Sequence, residues 1–251
     1  MLASAASLLN IKVVILDNGN DAPAKQVVAH SGHVDGSFAD PAKIVELAQK
    51  VDVLTVEIEH VNVGALERLQ ETLPVSVHPS PQTIGIIQDK LRQKEHLVLS
   101  GCPVAEFALL DSTVEAVCGA AQKLGLPLML KSRTLAYDGR GNFVLRDLAQ
   151  AEEAIAALGD RPLYAEKWLE FVKEVAVMVV HSASGQVRSY PAVETVHKNN
   201  ICHLVFAPLR SRDPTLADRA QALAEKAVKS FNSAGVFGVE MFLMADGEFA
   251  Q

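Results

Sequence analysis

Cysteine is scarce in this chain. Its 251 residues include three, Cys102, Cys118 and Cys202, odd in number and far apart. No metal-ligand spacing joins them, so neither a disulfide framework nor a cysteine metal site is written here, and a reducing intracellular compartment is expected. Long apolar runs are missing as well. Nothing approaches the ~18 continuous apolar residues that span a bilayer, which excludes a transmembrane helix. The opening MLASAASLLN lacks a basic n-region and has only a short apolar run, making a poor secretory signal, so a cytoplasmic protein is expected. Positive charge is not in excess: 23 Lys and Arg against 30 Asp and Glu give a net charge of −7. That leaves no electrostatic reason to bind nucleic acid or an anionic membrane, although a local basic pocket for a small phosphorylated molecule stays open. Neither G-x-x-x-x-G-K-[ST] nor G-x-G-x-x-G occurs, which excludes a P-loop enzyme and a recognisable dinucleotide binder.

What is present is ordinary for a globular protein. Hydrophobic residues make up 49% and charged residues 21%, and the length suits one large domain or two to three small ones. IKVVILD (11–17) reads as a buried parallel strand ending in a Gly/Asn turn. PAKIVELAQK reads as a helix starting at proline, VDVLTVEIEH as a strand, VGALERLQE as a helix and LPVSVHP as a strand. Strands alternating with helices predict a parallel α/β sheet. Ahead of them, Leu2, Ala5, Leu8 and Leu9 form a short apolar helical stripe. From Ser80 the character changes. SPQTIGIIQDKLRQKEHLVLSG reads as a helix with Ser80 as N-cap and Gly101 as stop. Next come helix TVEAVCGAAQKLG, strand LPLMLKS, a glycine loop, strand FVLRD and helix AQAEEAIAAL. The β-rich segments KEVAVMVVHS, VRSYPAVETVH and ICHLVFAPLR predict an antiparallel sheet. A helix after Asp213-Pro214 and a hairpin around Asp246-Gly247 complete the chain.

The loop, KSRTLAYDGRGNF (131–143), admits two readings. Asp138-Gly139 is a common hairpin signal. Equally, Gly139 and Gly141 free the backbone to turn its amides toward an anion, with Lys131 as a second contact. Lys90, Lys131 with its loop, the EKWLEFVKE stretch (166–174) and Glu240 in GVEMF then line up in order. Taken singly, Lys90 reads as a solvated helix side chain and Glu174 as a surface charge. Glu240 alternates with Val239 and Met241, so it faces solvent or a polar cleft, where a metal ion is one partner for a carboxylate.

This order of lysine helix, lysine strand, glycine loop, Glu-x-x-Leu hinge and late glutamate resembles the ATP-grasp fold, and with it an N-terminal Rossmann-like pre-ATP-grasp domain. Within that fold AYDGRGNF, EIEHV, HPSP, VETVHKNNICH and VFGVEMF closely resemble the 5-(carboxyamino)imidazole ribonucleotide synthase family of purine biosynthesis, nearest its fungal form. The resemblance implies three parts: 1–79 as the pre-ATP-grasp domain, 80–165 as the small ATP-grasp subdomain, and 166–251 as the large one. It implies ATP contacts from Lys90, Lys131, Ala136, Tyr137, Asp138, Gly139, Arg140, Gly141 and Asn142, then from Glu166, Lys167, Trp168, Leu169, Glu174 and His197. Tyr137, Asp138 and Arg140 would face 5-aminoimidazole ribonucleotide, Glu240 would hold Mg²⁺, and Asp138, Arg140 and Lys131 would serve catalysis. Bicarbonate would attack the γ-phosphate to give carboxyphosphate, and the ribonucleotide amine would capture the carboxyl group or the CO₂ released from it. The resemblance further implies a homodimer and, in fungi, a C-terminal carboxylase-mutase domain fused to the synthase. Family members begin with a strand and glycine turn that would precede Met1, and continue past Gln251 with an Asn-Glu pair and basic residues. On that comparison the chain is expected to be a fragment. Two other readings remain: another ATP-grasp ligase such as formate-dependent glycinamide ribonucleotide transformylase, and a nucleotide-binding module without turnover.

Overall fold

A computed structural model describes residues 2–28, 30–136, 141–198 and 201–251, and divides the chain into two compact units, 1–85 and 86–251. In the first unit, helix α1 (Leu2–Leu8) is followed by strand β1 (Leu16–Asp17), helix α2 (Pro23–Val27) and strand β2 (Val34–Asp35). Helix α3 (Pro41–Ala48), strand β3 (Val53–Thr55), helix α4 (Val63–Thr72) and strand β4 (Ser76–His78) come next. The pairs β1–β2 and β3–β4 are both parallel, as the alternation of strands and helices predicts. Short polar caps set the helix starts. Asp40 accepts from Ala42 N at 2.9 Å before α3, and Asn62 accepts from Ala65 N at 2.9 Å before α4. Ile44, Leu54, Leu66, Leu69 and Val77 close this core.

Two expectations need correction here. The strand predicted over 11–17 is confined to β1, and Ile15 N–H bonds the His33 ring at 3.1 Å in place of a ladder carbonyl. Among the described residues β1 pairs only with β2, so little of the run gains a second neighbour. The strand predicted over 51–60 is confined to β3, with Glu57 to Glu59 as bends. The N-terminal apolar stripe does form a helix, α1, and that stripe is exposed, with Leu8 at 89%.

Helix α5 (Pro81–Gln88) crosses the boundary between the units, and the single helix predicted over 80–101 is in fact two. Asp89 interrupts it. Its carboxylate caps helix α6 (Lys90–Leu99), accepting from Leu91 N at 3.1 Å and Arg92 N at 3.3 Å. Gly101, at φ +69°, lies just past the end of α6, as expected.

The second unit continues with strand β5 (Phe107–Leu110), helix α7 (Val114–Leu124), the hairpin β6 (Leu128–Ser132) and β7 (Asn142–Leu145), helix α8 (Ala151–Leu158) and strand β8 (Leu163–Lys167). These strands form an antiparallel sheet in the order β5-β8-β6-β7. Leu128, Leu130, Leu145 and Leu163 are fully buried with residues of α7 and α8. Strand alternation then commits the intervening residues, Met129, Lys131, Tyr164 and Glu166, to the opposite face.

A second antiparallel sheet contains strands β9 (Phe171–His181), β10 (Val187–Ser189), β11 (Val193–Lys198), β12 (Ile201–Phe206), β13 (Gly235–Met244) and β14 (Phe249–Ala250). Its order is β12-β11-β9-β13-β14, with β10 also on β9. Helix α9 (Leu216–Ser230) packs Leu216, Ala220, Ala224 and Val228 against Val175, Val177, Val179 and Met241. Glu174 and Glu240 point the other way.

Candidate nucleotide site

The face of the first sheet opposite α7 and α8 carries a compact charge cluster. Lys131 on β6 pairs across the ladder with Tyr164 on β8, which puts Glu166 on the diagonal. Lys131 Nζ donates to Glu166 Oε2 at 2.8 Å. The other carboxylate oxygen, Oε1, faces Lys94 Nζ of α6 at 3.1 Å. Glu166 is nearly fully buried. Burial alone would push its carboxyl upward, but Lys131 and then Lys94 outweigh it and bring the pKa down to about 2. Burial pulls Lys94 down, and Glu166 opposes that pull. Tyr164, whose hydroxyl bonds Glu166, is held protonated, first by burial and second by the carboxylate charge.

The start of α6 is tied to the end of β6. Lys90 N–H donates to Arg133 O at 2.8 Å, and Arg133 holds Asp89 through both carboxylate oxygens, Nε at 3.1 Å and Nη2 at 2.5 Å. Burial opposes the ionised Asp89, and the Arg133 bonds more than offset it, lowering its pKa. Lys90 and Lys131 thus lie on segments locked together.

The strands on either side of the glycine loop, β6 and β7, pair antiparallel. The ladder ends with Lys131 opposite Asn142 and with Ser132 N–H on Gly141 O at 2.7 Å. Gly141 has φ +85°, and a Cβ there would lie 3.1 Å from Ser132 Oγ. Ala136 is half-buried. Tyr137, Asp138, Gly139 and Arg140 lie outside the described residues.

The hinge residues diverge. Lys167 pairs with Glu106 at 2.8 Å on the surface, and its N–H donates to Glu106 O at 2.8 Å. Trp168 N–H bonds Pro127 O at 3.3 Å, with the Arg146 guanidinium 5.6 Å from its ring centroid. Trp168 and Leu169 are half-buried.

On the second sheet, Glu240 lies opposite Ala176 and Glu174 opposite Phe242, so the two carboxylates share a face on adjacent strands. His197 on β11 joins them through a short contact between Nδ1 and Glu174 Oε2. Burial pushes Glu174 up, the His197 ring lowers it, and the Glu240 charge raises it. Glu194 fixes β11 in place, taking Lys173 Nζ at 2.7 Å and Arg210 Nη2 at 2.9 Å. Among the described residues no three His, Cys, Asp or Glu side chains form a self-sufficient metal cage. With Glu174 engaged by His197, Glu240 is the exposed carboxylate on this face, and one carboxylate fits a divalent cation that draws its remaining ligands from phosphate and water.

Sequence reasoning named Lys90, Lys131 and Glu166 but not Lys94, Tyr164, Asp89 or Arg133. One signal was available for Lys94: it follows Lys90 by one helical turn, and two lysines at that spacing repel unless an anion lies near them.

Two family models match the chain. Residues 95–250 match the ATP-grasp domain, and residues 1–88 match the ribonucleotide synthetase preATP-grasp domain. The chain belongs to the ATP-grasp family. Its sequence is 57% identical over 248 residues to phosphoribosylaminoimidazole carboxylase of Ogataea methanolica, covering 99% of this chain and 46% of that protein. In structure it is similar to carboxyaminoimidazole ribonucleotide synthase of Aspergillus clavatus complexed with ATP, at TM-score 0.95 and 49% identity, covering 100% of this chain and 65% of that one. A second structure of the Aspergillus clavatus synthase, with ADP and 5-aminoimidazole ribonucleotide, superposes at TM-score 0.93 and 47% identity, covering 100% of this chain and 64% of that one. The chain therefore spans about half the length of the curated relative and about two thirds of the solved ones. No helix among the described residues is long and apolar enough to cross a membrane.

Proposed function

We propose that this protein carries out the ATP- and bicarbonate-dependent carboxylation of 5-aminoimidazole ribonucleotide through carboxyphosphate, in de novo purine biosynthesis. The observation that carries the reading is the buried Lys94–Glu166–Lys131 cluster. Two lysines on one carboxylate leave a positive excess that a polyphosphate neutralises. The relatives support the identity of the second substrate.

In this reading Lys90, Lys131 and the loop from Ala136 to Asn142 take the ATP phosphates. Glu166 to Leu169 take the adenine, and Glu174 with His197 takes the ribose. Mg²⁺ beside Glu240 would supply charge neutralisation of the β- and γ-phosphates. Tyr137, Asp138 and Arg140 face the aminoimidazole. A bicarbonate oxygen forms a bond to the γ-phosphorus while the bond to the ADP oxygen breaks. The exocyclic amine then takes the carboxyl carbon, releasing phosphate and giving up a proton, with Asp138 as its acceptor. The protein's contribution is positioning and charge stabilisation from Lys90, Lys131 and Arg140.

The division into 1–79, 80–165 and 166–251 belongs to the same proposal. So do a homodimer, a C-terminal carboxylase-mutase domain in the intact protein, and a cytoplasmic location where ATP is supplied. ADP release with MgATP and bicarbonate, measured with 5-aminoimidazole ribonucleotide or glycinamide ribonucleotide plus formate in parallel, tests the function. ADP that depends on the imidazole substrate supports it. ADP that depends on glycinamide ribonucleotide would replace it with the transformylase, and ATP binding without turnover would replace it with a binding module.

A further inference from the structure

Lys94 is a buried cation that the proposed chemistry does not use. Its side chain is 13% exposed, and its Nζ is committed twice, to Glu166 Oε1 at 3.1 Å and to the main-chain oxygen of Gln251 at 2.6 Å. Lys131, at 24% exposure, is the more open of the two lysines on Glu166. The groups around the carboxylate are Lys94 from α6, Lys131 from β6 and Tyr164 from its own strand, with Asp89 nearby and already paired to Arg133.

If Lys131 is to meet a phosphate oxygen, it must give up Glu166 Oε2. A buried carboxylate left with no cation is strongly unfavourable, and a carboxylate with a second cation is not. We propose that Lys94 is a positioning residue for nucleotide binding: it remains on Glu166 as a fixed counterion, so that Lys131 can transfer from the carboxylate to the polyphosphate. The inference rests on reading this site as the ATP site.

Calorimetric titration of the full chain with MgATP tests it, using unsubstituted protein, Lys94→Met, Lys94→Arg, Glu166→Gln and the Lys94→Met/Glu166→Gln double variant. Lys94→Met should weaken binding by about 30-fold, because Lys131 is then held by an otherwise unpaired carboxylate. Lys94→Arg should restore most of the affinity. With no carboxylate to balance, the cost of Lys94→Met in the Glu166→Gln background should shrink to about 3-fold or less. Lys94→Met removes one of the two cations that hold Glu166 ionised, so in the variant the carboxyl takes up a proton at higher pH than in the unsubstituted protein, and the ratio of the two dissociation constants should also fall as pH is lowered. A lysine that merely braces Gln251 predicts instead a loss independent of both Glu166 and pH, and that result would overturn the proposal. So would affinity unchanged by Lys94→Met. Failure of the unsubstituted chain to bind MgATP would instead overturn the nucleotide reading itself. Should Lys94→Met not fold, a crystal structure of the unsubstituted protein with MgATP decides. Lys94 is expected to remain on Glu166 with Lys131 on phosphate, and Lys131 still bound to Glu166 would contradict the transfer.

Discussion

Arg133 and Asp89 form a two-point ion pair, with Nε on Oδ1 at 3.1 Å and Nη2 on Oδ2 at 2.5 Å, while the same carboxylate caps α6. One contact therefore fixes both the helix that begins with Lys90 and the strand end that carries Lys131. Two lysines far apart in sequence are thereby carried on segments tied to one another, because an aspartate ends one helix and starts another.

Arg133→Met should loosen this junction. Charge-assisted hydrogen bonds are worth about 1.5–3 kcal/mol each at most, and partial exposure puts the expected loss at about 2 kcal/mol in urea unfolding. MgATP affinity should fall about 10-fold with it, since the site loses its geometry and not its lysines. Arg133→Lys should recover only part of either, because a lysine cannot reproduce the planar fork. Unchanged affinity would separate the ion pair from the site.

Glu166 makes stability depend on pH in a definite direction. Its folded pKa of about 2 lies below the ordinary value of 4.5, so its contribution is fully present above about pH 4.5 and is lost as pH falls toward 2. The shift corresponds to about 3 kcal/mol at neutral pH. Glu166→Gln should therefore be less stable than the unsubstituted protein by about that amount at pH 7, with the gap closing in acid. Urea melts from pH 7 down to the acid transition would show it. A gap of constant size would mean that the lysines do not hold the carboxylate ionised.

Gly141→Ala should cost about 1–2 kcal/mol, because φ +85° is poorly tolerated with a Cβ and the new atom would meet Ser132 Oγ at 3.1 Å. The cost falls at the foot of the loop, so the KM for ATP should rise more than stability drops. Equal effects at Gly141 and at Gly185, a positive-φ glycine in another hairpin at φ +83°, would show that the loop has no special part in binding.

Glu240→Gln should raise the Mg²⁺ concentration needed for half-maximal activity by about 10-fold, while melts without metal stay close to those of the unsubstituted protein. The exposed position of Glu240 supports the second expectation, since no buried partner is stranded. Activity lost equally at every Mg²⁺ concentration would assign Glu240 another role.

The features legible in sequence were those written locally. Prolines and polar caps mark α3 and α4, the Ser80 and Gly101 punctuation brackets α5 and α6, and alternation reveals β9 and β13. Lys90, Lys131, Glu166, Glu174, His197 and Glu240 were named in sequence, and the structure brings Lys131 to Glu166 and His197 to Glu174. What stayed hidden depended on register. Lys94 resembles any solvated helix lysine until α6 packs toward β8, and the break at Asp89 makes sense only with Arg133, 44 positions away. The run 11–17 has strand composition, but composition alone provides no second neighbour for it to pair with.

The most direct test of the whole account is the fate of bicarbonate oxygen. With ¹⁸O-labelled bicarbonate, MgATP and 5-aminoimidazole ribonucleotide, attack on the γ-phosphorus should leave one bicarbonate oxygen on each inorganic phosphate released, readable by ³¹P NMR. Phosphate free of the label, released at the same rate, would mean that water attacks ATP directly and would contradict a carboxyphosphate route.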